Sequence, residues 1–424
     1  MSSAPVSKDA VVRPAAPQKS DPTQLSLGAA LRGHSNALGL LRLILASLVI
    51  FDHAFPLGGN GRDPFWMVTA GQASLGSLAV AGFFAISGYL IAKSGMSADI
   101  LQFMWRRVLR IFPAYWTVLL FTALFVAPAI WAIQGDALRD YFRFLPNGPL
   151  NYFTANWTLN IGTYGIYDLL AETTPYGREV MGSVFNGSIW TLIYEWGCYL
   201  MIGVLVAFGV LSKARIVLPL MTLFVYITQV VYLVNPDVVA SLLPIMADPQ
   251  RISLTLAFLF GSCLAVYSTS IPFDDRLGIL SGLVLAVTLH WGGFALIGTA
   301  AGAYFTMYLG ARLPKAVHWI GAKNDYSYGI YIYGFLVQQV LAFFGVHLLG
   351  YLPYALIALV ISAGLAWLSW HGVEKRAMAL KDWGPGRGIS HWTAWTSNAW
   401  QSRSGRRSVQ PQSKEGKPQL NEGQ

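Results

Sequence analysis

Charged residues are scarce in this sequence of 424 residues, at 12%, whereas 54% of the residues are hydrophobic. A soluble domain carries about 25% charged residues, so the deficit excludes a chain that faces water throughout. Cysteine is almost absent, since only Cys198 and Cys263 occur, both in apolar runs. Their spacing fits neither a disulfide framework nor a metal site. We therefore expect no metal and interpret both as small buried hydrophobic residues.

Long apolar segments fill most of the sequence. A membrane span takes about 20 apolar residues, and about ten such segments are predicted between Ala37 and His371. They lie near 37–55, 76–93, 111–133, 189–211, 216–234, 252–269, 277–291, 293–311, 328–349 and 352–372. Only Gly292 and Gly293 separate the seventh from the eighth. The sequence thus predicts an all-α, polytopic transmembrane helical bundle.

Polar segments divide the chain into three parts. Residues 1–36 are predicted to be a disordered N-terminal tail, because the first 31 are rich in Pro, Ala, Ser and Gln. The transmembrane domain covers 37–375 and contains one sizeable extramembrane loop, 134–188. Residues 376–424 are predicted to form a basic tail.

The formal net charge of +9 is better explained by topology than by nucleic-acid binding. With ten spans, 23 of the 29 Lys and Arg residues fall on the side of the termini and five on the other. Because positive residues accumulate on the cytoplasmic side of a membrane, both termini are predicted to be cytoplasmic. No nucleic-acid partner is expected.

Two ionisable residues of the first predicted span are candidates for function, because charges inside a membrane are costly. Arg42 and His53 are eleven residues apart, which places them on one helix face, roughly 16 Å apart along the axis. Imidazole is the usual general base near neutral pH. The structural alternative is that His53 caps the helix and Arg42 extends to the headgroups.

An arginine cluster, formed by Arg106, Arg107 and Arg110, precedes the apolar part of the third span. Guanidinium groups bind phosphates bidentately, so a donor that carries a nucleotide, such as coenzyme A, would fit. The alternative is orientation of the chain and contact with anionic lipid.

Glu195 lies within the fourth predicted span, at a depth similar to that of His53. Its carboxylate is expected either to hold the imidazole in one tautomer or to contact the acceptor hydroxyl. A buried carboxylate that locks two helices together is the structural alternative.

Five motifs in a fixed order carry a family resemblance. They are Arg42 with His53, GFFAISGYLI, RRVLRIFPAYW, SIWTLIYEW and SYGIYIYG. As a set they resemble acyltransferase family 3, integral-membrane bacterial O-acyltransferases that modify glycans. The resemblance extends from Leu40 to Glu374.

The resemblance implies a role for each matching residue. His53 would be the catalytic histidine, with Arg42 its essential partner and Glu195 a further active-site residue. The arginine cluster would hold the donor's phosphates. Trp190, Tyr328, Tyr331 and Gln338 are predicted to bind substrate.

The family resemblance also implies a reaction and a cellular location. Acyl-CoA would be the co-substrate, without a permanently bound cofactor, and the acceptor would be a hydroxyl of a glycan or glycolipid. Acetyl is the expected acyl group, with succinyl as an alternative, and direct transfer and an acyl-histidine intermediate both stay open. The protein would be a multi-pass protein of the bacterial inner membrane, in contact with membrane lipid and with polysaccharide-synthesis proteins as partners.

One position departs from the family pattern. Members often carry a histidine shortly after the tyrosines of the ninth span, where this sequence has Tyr333 and Gly334. That role is absent here, or it is filled by Tyr333 or Gln338.

Two other functions remain open: a transporter or flippase of lipid-linked glycans, and a non-catalytic subunit of a polysaccharide export complex.

Overall fold

Ten long helices form the body of the described part of the protein. A computed structural model describes residues 25–33 and 35–395. The helices are α1 (Leu38–Leu57), α2 (Leu75–Gly95), α3 (Ile100–Ile133), α4 (Ser188–Ala207), α5 (Val217–Val234), α6 (Pro249–Val266), α7 (Asp275–Trp291), α8 (Phe294–Arg312), α9 (Ser327–Phe343) and α10 (Tyr351–Met378). Strands are absent from the described part of the chain, apart from an isolated bridge between Ser26 and Pro272. The predicted all-α fold is confirmed.

Eight of these helices, all except α7 and α9, are long and apolar enough to cross a membrane. The other two have 17 residues each, slightly fewer than the about 20 that a span takes. All ten predicted segments are helical. Ten full spans and cytoplasmic termini remain predictions.

Short helices occupy the connections. They are Leu27–Ala30, Phe65–Val68, Leu138–Tyr141, Pro149–Asn156, Pro175–Val180, Val210–Lys213 and Pro236–Leu242, with 3-10 turns at Pro244–Met246, Lys315–Val317, Val346–Leu349 and Gly384–Arg387. The connection between α7 and α8 is only Gly292 and Gly293, as the sequence predicts. Both glycines have positive φ, 113° and 97°, a conformation that few other residues adopt.

The closest helix contact joins α2 to α6. A Cβ added at Gly88 would collide with the carbonyl of Phe258, and one added at Gly261 would collide with the backbone of Ala85. Ser262 Oγ also donates a hydrogen bond to the carbonyl of Gly88, at 3.1 Å. Small residues let helix backbones approach in this way inside membranes.

Helix α9 is the centre of the bundle. Of its 17 residues, 14 are buried, and it packs against α1, α3 and α10 and against the start of α4. A helix that is covered on all faces belongs to the protein core and not to the lipid boundary. Its tyrosines are therefore interior residues.

Three of the long helices contain a π turn, and α8 begins with one at Phe294–Gly298. In α3 the turn covers Thr122–Val126, just before Pro128, whose ring cannot fit against the carbonyl four residues earlier. In α10 the turn covers Trp370–Glu374. Such turns often occur at functional sites, and Glu374, the last residue of the turn in α10, is only 2% exposed.

The predicted loop 134–188 is folded against the end of the bundle. Asn156 is fully buried, and its carbonyl accepts a hydrogen bond of 2.6 Å from Tyr115 of α3. Farther along, the carbonyl of Val184 accepts a bond from Gln339 of α9. The segment thus covers the end of α9.

The predicted tails are too long at both ends. Leu27 and Leu31, assigned to the disordered tail 1–36, are 0% and 2% exposed, because they pack as one apolar helix face. The assigned basic tail 376–424 likewise begins with packed residues: Trp105 of α3 donates to the carbonyl of Leu380, and Asp99 accepts from the amide of Ile389. Residues 1–24 and 396–424 lie outside the described part of the chain.

Replacement of Gly88 by Ala should destabilise the protein, because the methyl group forces α2 and α6 apart. Overpacking of this kind costs about 1–3 kcal/mol. Thermal unfolding of detergent-purified protein would measure it. Gly364→Ala in α10 is the matched control, since an added Cβ there meets no atom within 4 Å. Equal unfolding temperatures for the two variants would contradict the predicted effect.

Candidate functional site

Three adjoining cavities run through the bundle. The arginine chamber, about 110 Å³, is lined by residues including Arg42, Arg106, Arg107, Arg110, Glu195 and Tyr199. The central chamber, about 50 Å³, shares Arg42, Arg110, Glu195 and Tyr199 with it and adds Val80, Tyr328 and Tyr331. The histidine chamber, about 150 Å³, contains Asp52 and His53 and shares Val80 and Tyr331 with the central chamber.

The three clustered arginines have different surroundings. Arg106 pairs with the exposed Asp382, at 3.1 Å. Arg110 binds two carboxylates, Asp325 at 2.6 Å and Glu374 at 3.4 Å. Arg107 forms no ion pair within the described residues, and its guanidinium lies over the rings of Phe103 and Tyr199, at 5.7 and 5.9 Å. Arg107 is therefore the member of the cluster that is most available to an anionic ligand.

Asp325 joins two helices at the boundary between the arginine and central chambers. It forms ion pairs with Arg42 of α1 and Arg110 of α3. It also accepts hydrogen bonds from the amide and hydroxyl of Ser327, at 3.1 and 2.5 Å, as a residue just before a helix often does. The start of α9 thereby fixes the positions of both guanidinium groups.

The charge of Asp325 is stable to acid. Burial alone would raise the pKa of this carboxyl group, but Arg42, Arg110 and Ser327 outweigh that effect and hold the pKa below its ordinary 3.8. A group with a lowered folded-state pKa stabilises the fold above its unfolded pKa, and the contribution is lost as the pH falls through the folded value. The ion pairs of Asp325 therefore persist at neutral and mildly acidic pH.

Glu195 lies on the opposite wall of the central chamber. Its carboxylate accepts hydrogen bonds from Tyr199, at 2.5 Å, and from Ser87 of α2, at 3.1 Å. None of these bonds reaches His53, and Glu195 does not line the histidine chamber, so contact with the imidazole or with the acceptor hydroxyl stays a prediction. The structural alternative, a carboxylate that links two helices, describes the bond to Ser87.

Tyr331 and Val80 separate the central chamber from the histidine chamber. The Tyr331 hydroxyl donates to the carbonyl of Ser188, at 2.7 Å, and lies 2.6 Å from the hydroxyl of Thr191. These two bonds to the start of α4 fix the ring between the chambers. Phe83 of α2 packs against the same ring, edge to face.

His53 lies in the histidine chamber among uncharged rings and one carboxylate. Its imidazole contacts Phe335 edge to face, with ring centroids 5.3 Å apart. Phe335 in turn contacts Tyr176 of the folded segment 134–188. Trp190 and Asp52 line the same chamber, so His53 faces a cavity that combines apolar and polar walls.

The predicted substrate residues fall into two groups. Trp190 lines the histidine chamber, Tyr328 the central chamber and Tyr331 both. Gln338 lines none of the three chambers, and its amide donates to the carbonyl of Ile50, at 2.8 Å. The Gln338 side chain thus joins α9 to α1, and its contact with substrate stays a prediction.

Arg42 and His53 both face the interior, as the eleven-residue spacing predicts. They line different chambers, however: Arg42 lines the arginine and central chambers, and His53 lines the histidine chamber, which adjoins the central one at Val80 and Tyr331. The helix period therefore predicts that the two side chains share a face. It does not predict that they lie in separate chambers, because the residues between those chambers belong to α2 and α9.

Sequence reasoning missed Asp325 and took Glu374 for an interface charge. Asp325 stands two residues before Ser327 in a motif typical of a helix start, which was the available signal. Nothing in the sequence indicates that its partners are Arg42 and Arg110, 283 and 215 residues away. Tyr199 was also missed, although it lies four residues after Glu195, on the same helix face.

This fold and site define a helical membrane protein whose buried charges line a path of chambers, as in an enzyme or a transporter. Residues 35–371 match the acyltransferase domain family. The chain belongs to acyltransferase family 3 and is an acyltransferase, which confirms the resemblance seen in the sequence.

Two relatives resemble nearly the whole transmembrane domain. The chain is 31% identical over 366 residues to the O-acetyl transferase of Shigella phage Sf6, an alignment that covers 81% of this chain and 96% of the relative. It is 27% identical over 363 residues to Nodulation protein 10 of Rhizobium leguminosarum bv. viciae, covering 82% and 95%. No solved structure matches the chain.

Asp325→Asn should destabilise the protein, because it leaves Arg42 and Arg110 without their shared counter-charge. Removal of one partner from a buried ion pair costs about 3–5 kcal/mol, which thermal unfolding at neutral pH would measure. Asp275→Asn is the control, since its ion pair with Arg312 is exposed and should contribute little. An Asp325→Asn protein as stable as the Asp275→Asn protein would contradict the structural role of this network.

Proposed function

We propose that this protein transfers an acetyl group from acetyl-CoA to a hydroxyl of a glycan or glycolipid, in a bacterial inner membrane. The observation that carries the proposal is the row of adjoining chambers from Arg107 to His53. One end of this row offers Arg107, a cation without an ion pair among the described residues, for a phosphorylated donor, and the other offers an imidazole. The name of the phage relative supports acetyl as the transferred group.

The donor's phosphates bind in the arginine chamber. Arg107 takes the largest share, because it forms no ion pair with any described residue and the carboxylate that acts on its charge is Glu195 of the same chamber. Arg106 adds to it by giving up its weak pairing with the exposed Asp382. Arg110 binds Asp325 and Glu374, so its main role is to position Asp325 and Arg42. This division refines the expectation that all three arginines contact phosphate.

The thioester occupies the central chamber, and its carbonyl carbon approaches His53 between Val80 and Tyr331. Arg42 lies beside the donor on this route and offsets negative charge on it. The acceptor occupies the histidine chamber, so donor and acceptor meet where the two chambers adjoin.

In the direct reaction, His53 accepts the proton of the acceptor hydroxyl as its oxygen attacks the thioester carbonyl carbon. A C–O bond forms and the carbonyl becomes a tetrahedral oxyanion. When the carbonyl reforms, the C–S bond breaks and the coenzyme A sulfur takes the proton from the imidazolium. The ester and free coenzyme A leave, and His53 is again neutral.

His53→Ala should reduce acetyl transfer about 10²- to 10⁴-fold, the usual contribution of a general base. Purified protein in lipid nanodiscs would be given acetyl-CoA and a glycan fraction, and both free coenzyme A and acetylated glycan would be measured. His290→Ala is the control, because that ring is exposed and bonds to a loop carbonyl of Val68. If the wild-type protein moves glycan without releasing coenzyme A, it is a transporter. If His53→Ala transfers acetyl at the full rate, His53 takes no part in the reaction.

Arg107→Ala should raise the KM for acetyl-CoA about tenfold or more, with a smaller change in the KM for the acceptor. A hydrogen bond to a charged group contributes about 1.5–3 kcal/mol, and 1.4 kcal/mol corresponds to a factor of ten. Arg276→Ala, an exposed arginine at the start of α7, should leave both constants unchanged. A rise confined to the acceptor KM would argue against donor binding at Arg107.

A further inference from the structure

Asp52 precedes His53 in α1 and lines the same chamber. Its Oδ1 atom is buried and accepts no hydrogen bond from the part of the chain that the structure describes. Its Oδ2 lies against the start of α2, where a Cβ added to Gly76 would be only 2.5 Å from it. The carboxylate interacts with Ser74, the amide of Gly76 and the neighbouring Asp63, so it is held in place while Oδ1 stays without a partner among the described residues.

The neighbouring carboxylate, Asp63, is fully used by the fold. Its two oxygens accept hydrogen bonds from the amides of Phe65, at 2.9 Å, and Leu75, at 2.7 Å. Buried carboxylate oxygens are nearly always hydrogen-bonded in this way. Asp52 differs from Asp63 because it lines the histidine chamber and its buried Oδ1 has no hydrogen-bond partner among the described residues.

The histidine chamber opens on the side away from the arginine cluster. Ser77 of α2 and Gln250 of α6 line it and are themselves exposed. The wall therefore offers a carboxylate, a hydroxyl, an amide and the indole ring of Trp190 around the imidazole. Such a mixture of an aromatic surface with a few polar groups orients a ligand that has both ring faces and hydroxyls.

We propose that Asp52 is a specificity-determining residue that accepts a hydrogen bond from a hydroxyl adjacent to the one that is acylated. Trp190 lies against the face of the same sugar ring. This inference rests on the proposed function and makes it more specific: the acceptor carries a vicinal diol, of which one hydroxyl faces His53 and the other Asp52. A simple alcohol would lack the second contact.

The test uses full-length protein in nanodiscs, radiolabelled acetyl-CoA, and a panel of methyl hexopyranosides with their monodeoxy analogues. Wild-type protein should acetylate a glycoside at least tenfold better than the analogue that lacks the neighbouring hydroxyl. Asp52→Asn should raise the KM for that glycoside about tenfold, should no longer distinguish it from the analogue, and should keep the wild-type KM for acetyl-CoA. Asp237→Asn, on an exposed connection, is the control.

Three outcomes would overturn the inference. Wild-type protein that acetylates glycosides, with Asp52→Asn equal to it, would remove Asp52 alone and leave the proposed function intact. A change only in the KM for acetyl-CoA would assign Asp52 to the donor. Wild-type protein that acetylates no glycoside would refute the acceptor class, and the inference with it. If Asp52→Asn does not fold, Asp52→Glu decides: a longer carboxylate should reorder the preference among the deoxy analogues, and an unchanged order contradicts the contact.

Discussion

Two arginines from different helices share one carboxylate inside the bundle, and the arrangement of the site depends on this contact. Charges in a membrane protein are costly unless they are paired or face a polar cavity. Asp325 neutralises Arg42 and Arg110 jointly, while Glu374 supplies a second counter-charge to Arg110. Because these residues come from α1, α3, α9 and α10, the ion pairs fix four helices around the central chamber.

The same ion pairs give the arginines of the cluster different roles. Arg110 is held by two carboxylates and serves the architecture, whereas Arg107, stacked over aromatic rings, keeps its charge available. A cluster that looks uniform in sequence therefore contains a structural member and a candidate ligand-binding member. Binding of an anion at Arg107 would not require the network of Asp325 to break.

Irregular helix geometry creates the rest of the site. The π turn at Trp370–Glu374 contains the buried Glu374. The glycines of α2 and α6 bring those two helices together, and the starts of both helices form one side of the histidine chamber. Tyr331, fixed by Ser188 and Thr191, then separates that chamber from the central one. In the proposed reaction, this arrangement would bind donor and acceptor in separate chambers that meet at one constriction.

The sequence by itself determined the helical membrane class, the positions of the ten long helices, the family, and the shared inward face of Arg42 and His53. These follow from apolar length, helix period and local motifs, which act over a few tens of residues. Only the tertiary structure decided that Glu195 bonds to Ser87 and Tyr199, that Gln338 binds a backbone carbonyl of α1, and that Asp325 pairs with Arg42. Those partners are contributed by distant segments, and side-chain pairing between helices depends on how the helices pack, which no local pattern encodes.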